Sequence, residues 1–260
     1  MDFDFSDDQE QLRDAVRKWV DKGYDFERRR AAVKAGGFSR DAYTEIAELG
    51  LCGLYIPEDQ GGLGMGPVEG MVVMEELGRG IVLEPFTQTL IASGVISGYA
   101  NRYKLDSCAA TAQKGTAGWT LSGSKSIVAA GDQVEAFLVP ATADGKVALF
   151  LVERAASGVS TRGYVTQDGS RAAEVTFANA AAALITLDGQ TALEHAIDIG
   201  IAAACAEGLG VMDKTMALTA EYMNTRKQFG VALSTFQALR HRMADMKMQL
   251  ELARSMSYYA

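Results

Sequence analysis

Cysteine is scarce in this sequence: Cys52, Cys108 and Cys205 are the three in 260 residues, far apart and each set among apolar or small neighbours. An odd number at such spacing excludes a disulfide framework and a zinc site, and reads as buried thiols in a reducing compartment. Concentrated positive charge is equally scarce. The only basic run is Arg28-Arg29-Arg30 and the formal net charge is -8, which excludes a nucleic-acid or anionic-membrane surface and leaves the three arginines to solvate a helix end. A leader and an uninterrupted apolar span are also missing. Met1 runs straight into an acidic stretch, and the apolar run over residues 197–212 is broken by Asp198 and Glu207, so neither a signal peptide nor membrane insertion is expected. No internal repeat or low-complexity tract is present. What is there is 48% apolar residues, enough for a real core in roughly two or three domains, in a chain expected to be soluble and cytoplasmic.

Along the chain, Ser6 with Gln9 forms a capping-box pattern, and Leu12, Val16, Trp19 and Val20 follow at helical spacing to about Lys22. Ser39 can cap a second helix carrying Tyr43, Ile46 and Leu49, with Gly50 as its C-terminal glycine. After a glycine-rich turn over residues 57–64, Pro67 opens a third helix through Met71, Val72, Glu75, Glu76 and Leu77, ended by Gly78 and Gly80. The helical region is expected to close near Ala100. Composition then changes to short runs at 119–121, 126–129, 136–139, 147–152, 174–177 and 183–187, punctuated by Gly, Asp or Pro. These predict a small antiparallel β domain, a sandwich or barrel, with Gly123 at a hairpin corner.

Helix returns from Thr191. Residues 192–212 are apolar on nearly every face, which predicts a helix buried on all sides. The last helix has one stripe of Leu239, Met243, Met246, Leu250 and Ala253 and another of Met248, Leu252 and Met256, as in a bundle or a subunit interface. The expected fold class is therefore α+β multidomain: an N-terminal helical domain over 1–100, a small antiparallel β-barrel or sandwich over 101–187, and a C-terminal helical bundle over 188–260, cut short.

Residues 222–246, YMNTRKQFGVALSTFQALRHRMADM, carry the most information. They read as a helix, a tight corner at Phe229-Gly230, and a helix restarting near Ser234-Thr235 with Gln237 in its first turn. Arg226 at that corner is either a helix-end ion pair or a contact to an anionic ligand, and the spacing does not choose between them.

Three segments, in order, resemble the acyl-CoA dehydrogenase family. The first is FDFSDDQEQLRDAVRKWV, then AELGLCGLYIPEDQGGLG and the EELGRG helix end. The second is GWTLSGSKSIVAAG over residues 118–131, and the third is the corner with Arg226, Phe229, Gly230, Leu233, Phe236 and Gln237. The resemblance implies FAD extended between the domains, an acyl-CoA thioester against the flavin, and α,β-dehydrogenation to enoyl-CoA in fatty acid or dicarboxylic acid degradation. Electrons would pass to an electron-transfer flavoprotein. By the same resemblance Arg226 reaches the FAD pyrophosphate of a neighbouring subunit. Phe229 and Gln237 contact the nucleotide, Ile127, Val128 and Ala129 wall the flavin, and Asp198 touches the CoA arm. A homo- or hetero-oligomer, dimer or tetramer, is implied, and no metal.

The chain is most similar to small subunits of two-component members such as pimeloyl-CoA dehydrogenase, and it departs from the family pattern in several places. Ile127 stands where members carry Trp or Phe, and Ala129 where they carry Thr. A segment with a Thr-Glu-Pro-like strand is expected to be lost at 100/101. The sequence also stops before the usual catalytic glutamate and the glycine-rich loop that meets adenine. The alternative position for the base holds Gly200, and that of a CoA-binding arginine holds Ile201. Glu194 and Glu207 have no motif support, so no catalytic residue is assigned. The alternative function is a non-catalytic structural subunit that lends FAD contacts to its partner.

Overall fold

The structure, a computed structural model, describes residues 5–97, 108–116 and 118–259. The boundary and the lost segment expected at 100/101 lie outside the described residues. The helices are α1 (Asp7–Gly23), α2 (Phe26–Lys34), α3 (Arg40–Glu48), α4 (Pro67–Gly80), α5 (Phe86–Ser97), α6 (Gly189–Thr225) and α7 (Gln237–Tyr259). The strands are β1 (Thr111–Gly115), β2 (Gly118–Ala129), β3 (Ala136–Ala143), β4 (Lys146–Glu153), β5 (Val159–Val165), β6 (Arg171–Thr186), β7 (Lys227–Gln228) and β8 (Val231–Ala232). Two compact units form, one from Met1–Phe26, Gly66–Val82 and Ile201–Ala260, the other from Glu27–Met65 and Leu83–Gly200.

In the first unit the capping box at Ser6 is present, with the Ser6 hydroxyl accepting the Gln9 N–H at 3.3 Å and the Gln9 side chain accepting the Ser6 N–H at 3.0 Å. Val16 and Val20 of α1 are buried. Pro67 opens α4, where its missing N–H costs nothing, and Glu69 accepts the Gly66 N–H at 2.9 Å. Gly80 is the last residue of α4, but Gly78 lies inside it. A Cβ on Gly78 would stand 2.2 Å from the Glu207 carbonyl oxygen, and one on Gly210 1.8 Å from that of Glu75. Gly78 is thus a place where two helix backbones touch, not a stop signal.

Charge is buried at the same place. Glu76, 2% exposed, accepts from Arg17 at 2.5 and 3.2 Å and from Arg79 at 2.6 Å. Glu75 accepts from Arg254 at 2.9 and 3.1 Å and from the Tyr258 hydroxyl at 3.1 Å. Burial first, and then the Glu75 charge, push the Tyr258 hydroxyl well above its ordinary pKa. These pairs tie α1, α4 and α7 together around a cavity of about 280 Å³.

The all-round burial expected for residues 192–212 does not occur. In the first unit α6 buries only a stripe with Ala203, Ala206 and Leu209, and leaves Ile201 (56%), Met212 (43%) and Leu218 (54%) exposed. Cys205, expected to be buried, is exposed, and Cys52 and Cys108 are half-buried. α6 is the one helix among the described residues that is long and apolar enough to cross a membrane by length and composition. It carries Glu194, Asp198, Glu207 and Asp213 along its length. On α7 the stripe of Met248, Leu252 and Met256 is exposed, whereas Leu250 is buried.

The second unit is built on a six-stranded sheet in the order β2-β1-β3-β4-β6-β5, and an additional β2–β6 pairing closes it into a barrel. Pairing is antiparallel except between β1 and β3, which meet in parallel at Thr111 and Thr142. Leu121, Phe150, Val152, Ala173 and Val175 are fully enclosed in the barrel core, and Trp119 packs on Phe150 with ring centroids 5.3 Å apart. Full burial of a Leu or Phe side chain is worth about 1.5–3 kcal/mol. Gly123 is not a hairpin corner. It sits within β2 at φ +140° where the register to β6 shifts, so it is a bulge, and a Cβ there would meet the Ala110 Cα at 2.8 Å.

Arg171 at the start of β6 donates to both Asp132 oxygens, from Nε at 2.8 and 3.0 Å and from Nη2, and to the Gly36 carbonyl at 3.1 Å. The Arg171 hydrogen bonds hold the Asp132 carboxyl below its ordinary pKa against the opposing effect of burial. A depressed folded-state pKa means that this stabilisation is complete above the unfolded value of about 3.9 and is lost as pH falls through the lower folded value. Asp132→Asn is expected to flatten the pH dependence of unfolding below about pH 4, read as the urea midpoint against pH. An unchanged slope would rule the pair out as an acid-sensitive contact.

Candidate functional site

The corner after α6 is a miniature hairpin. β7 and β8 pair Lys227 with Ala232 and Gln228 with Val231, and the turn residues Phe229 and Gly230 both have positive φ, 52° and 82°. This is the two-residue geometry whose twist suits a hairpin. Glycine adopts it freely, but phenylalanine does so at a cost of roughly 1–2 kcal/mol. The Phe229 ring is nonetheless 93% exposed, touching only Phe236 edge to face at 6.2 Å among the described aromatic contacts. Residues held in sparsely populated backbone conformations cluster at functional sites. Arg226, at the base of this hairpin, accepts the Leu233 N–H on its carbonyl at 2.9 Å, while its guanidinium is exposed and has no ion-pair partner among the described residues. The helix-end ion pair is therefore not formed. Gln237 is the exposed first residue of α7. Arg226, Phe229 and Gln237 thus share one corner of the first unit.

Ile127, Val128, Ala129 and Asp198 lie in the second unit. β2 has a second register shift against β6 between Lys125 and Val128, and Ile127 within it has φ 56° and is 70% exposed. A β-branched residue in this region is an outlier that its surroundings must enforce. Nearby, the Glu174 carboxylate accepts from the Tyr164 hydroxyl at 3.1 Å, and hydrogen bonding, Ser126 first, holds its pKa below the ordinary glutamate value. Asp198 is half-buried on α6, three residues from His195. Burial lowers the His195 pKa, and the Asp198 charge opposes it. A Cβ at Gly200 would meet Ile91 Cδ1 at 3.2 Å, a contact that a small shift of the Ile91 side-chain end relieves.

A cavity of about 700 Å³ also lies wholly in the second unit, with Val128 and Ala129 in its wall together with Tyr43, Cys52, Thr89 and Ala92. The sequence marks Tyr43 only as a helix-face residue and Cys52 only as a thiol, and Thr89 and Ala92, both on α5, not at all. Tyr43 and Thr89 are joined oxygen to oxygen at 2.8 Å. Burial first pushes both the Tyr43 hydroxyl and the Cys52 thiol above their ordinary pKa values, so both are neutral donors near pH 7. No group of three or more His, Cys, Asp or Glu side chains that could hold a metal ion occurs among the described residues.

Helices, a closed barrel and a long helical pair, in that chain order, define an α+β multidomain protein. Family models for the acyl-CoA dehydrogenase N-terminal domain and the acyl-CoA dehydrogenase C-terminal domain match residues 6–103 and 188–260. The acyl-CoA dehydrogenase IpdE2 of Mycobacterium tuberculosis is 30% identical over 86% of this chain and 68% of its own length. The acyl-CoA dehydrogenase FadE27 of the same organism is 25% identical over 80% of this chain, which spans 62% of that relative. A solved structure described as the Tcur3481-Tcur3483 steroid ACAD G363A variant superposes with a TM-score of 0.82 at 28% identity, covering 97% of this chain and 76% of that one. The chain belongs to the acyl-CoA dehydrogenase family, whose members are flavin-linked oxidoreductases.

Proposed function

We propose that this chain takes part in FAD-dependent α,β-dehydrogenation of an acyl-CoA thioester to enoyl-CoA in the cytoplasm, with electrons passed to an electron-transfer flavoprotein. The observation that carries this reading is the corner of the first unit, where an unpaired Arg226, a strained and exposed Phe229 and an exposed Gln237 stand together. Those residues fit FAD: a permanently charged planar fork suits pyrophosphate oxygens, an aromatic face suits a ring, and an amide both donates and accepts. Bound FAD supplies the two-electron acceptor that oxidation of a Cα–Cβ bond requires. The protein's own residues bind and orient. Arg226 holds the pyrophosphate of a neighbouring subunit's FAD, with Phe229 and Gln237 beside the nucleotide. The bulged backbone at Ile127, Val128 and Ala129 walls the flavin, and the Asp198 carboxylate accepts hydrogen bonds from the CoA arm. The exposed Met248, Leu252 and Met256 stripe supports a homo- or hetero-oligomer, dimer or tetramer.

Arg226→Ala is expected to lower FAD affinity of the assembled protein about tenfold to a hundredfold, the value of a few charge-assisted hydrogen bonds. Quenching of flavin fluorescence on titration measures it, and an unchanged dissociation constant would remove Arg226 from the site. A second reading, a non-catalytic subunit that lends these contacts to a partner, is favoured by Gly200 and Ile201, which offer neither a carboxylate nor a cation. That reading requires the isolated chain to bind no FAD, so tight binding by the chain alone rejects it.

A further inference from the structure

The 700 Å³ cavity of the second unit is of the size that takes a drug-sized ligand. Its walls are mainly apolar, with Phe38, Ile91, Phe137 and Leu193 among the lining side chains. The charged groups are confined to Arg40 and Glu135, which pair with each other at 3.5 Å and are 58% and 82% exposed, so they mark a mouth and leave the depth uncharged. Inside, the polar side chains are neutral: Gln88 is exposed, Ser93 donates to the Leu90 carbonyl at 3.1 Å, Gln133 is turned to Asp132, and Tyr43, Cys52 and Thr89 complete the set. Thr89 donates its single hydroxyl proton to the Pro85 carbonyl at 3.2 Å, so the Tyr43 proton goes to Thr89 Oγ1 at 2.8 Å. The lone pairs of the Tyr43 oxygen then remain to accept, with only the weak Cys52 thiol beside them. Rotating the Tyr43 proton into the cavity turns the same oxygen into a donor. A charged ligand would lose its hydration here without a counter-charge, and a plain hydrocarbon would leave the Tyr43 oxygen unused.

We propose that this cavity binds a bulky, uncharged apolar group bearing one hydroxyl or keto oxygen, which is held at Tyr43. Because Val128 and Ala129 belong to the same wall, the proposal also names a substrate class, and this half rests on the acyl-CoA reading: the acyl group is bulky and oxygenated, not a plain straight chain.

The test is equilibrium titration of the purified full chain with 2-naphthol, whose emission changes when its hydroxyl leaves water, alongside naphthalene and 2-naphthoate. One 2-naphthol is expected per chain, bound more tightly than naphthalene and at least about tenfold more tightly than the anion. Tyr43→Phe, which keeps the ring, is expected to weaken 2-naphthol about five- to tenfold and to leave naphthalene unchanged. Ala92→Phe, which fills the cavity, is expected to abolish binding of both. Equal affinity for naphthol and naphthoate, no effect of Tyr43→Phe, or stoichiometric displacement of naphthol by FAD would overturn the proposal. Naphthol binding by a protein that takes up no FAD in any assembly sinks the acyl-CoA reading and leaves the cavity assignment standing. FAD uptake without naphthol binding does the reverse.

Discussion

Glu76→Ala is expected to destabilise the protein by about 2–3 kcal/mol, because it removes a buried carboxylate to which two arginines donate. Glu76 is 2% exposed and receives hydrogen bonds from Arg17 and Arg79, on α1 and on its own helix. Arg17 pairs with no other carboxylate among the described residues, and the next carboxylate for Arg79 is Asp21 at 3.5 Å. Truncation therefore leaves the Arg79 guanidinium, 16% exposed, facing a buried hole with only Asp21 near it, while Arg17, 41% exposed, turns to water. The penalty comes from the stranded charge, not from lost attraction in water, so Glu76→Gln, which keeps the volume, recovers only part of it. Glu27→Ala is the contrast, because its pair with Arg30 is 60% and 77% exposed and is worth no more than about 1 kcal/mol. Urea unfolding followed by far-UV circular dichroism measures all three. Equal midpoints for the Glu76 and Glu27 variants would show that burial does not govern the pair.

Gly210→Val is expected to cost about 3 kcal/mol or more, at the upper end of overpacking. The obstacle is the Glu75 carbonyl oxygen, 1.8 Å from the position of an added Cβ, with the Arg79 backbone nitrogen at 2.8 Å. Neither is the end of a flexible side chain, so α4 and α6 must part. Gly208, two residues away on the same helix, has nothing within 4 Å of an added Cβ. Gly208→Ala is expected to be neutral or to stabilise by about 0.5–1 kcal/mol, as alanine is the better helix former. If both variants melt alike, close backbone contact is not what Gly210 provides.

The helix starts were legible because local chemistry writes them: the Ser6 box, the Ser39 cap and Pro67 act within one turn of the chain. Strands were legible only in fragments. β2 shows as two runs because the polar stretch Ser122-Gly123-Ser124-Lys125, with its bulge at Gly123, interrupts the apolar signal, and β6 as two because Ala178-Asn179-Ala180-Ala181-Ala182 carries little apolar signal of its own. β1, with the sequence TAQKG, has even less. Gly78 was misread as a stop because a glycine chosen for a neighbouring helix looks the same as one chosen for a turn. Among the candidate site residues, Arg226, Phe229 and Gln237 stood out because they fall within one short stretch. Tyr43, Cys52 and Thr89 did not, since only folding brings α3, the turn after it and α5 around one cavity.

The closed barrel also bears on how the protein avoids its own copies. β2 beyond Ser122 and β3 before Thr142 each have a single strand partner among the described residues. A flat, unpaired strand edge recruits strands from other molecules and seeds aggregation. Of these two edges, one is bent away by the bulge at Ile127 and the other carries Pro140, which has no N–H to offer; β5, paired only with β6 among the described residues, is a third edge. The same irregularities that set the walls of the cavity therefore act as gatekeepers against self-templated growth of the sheet.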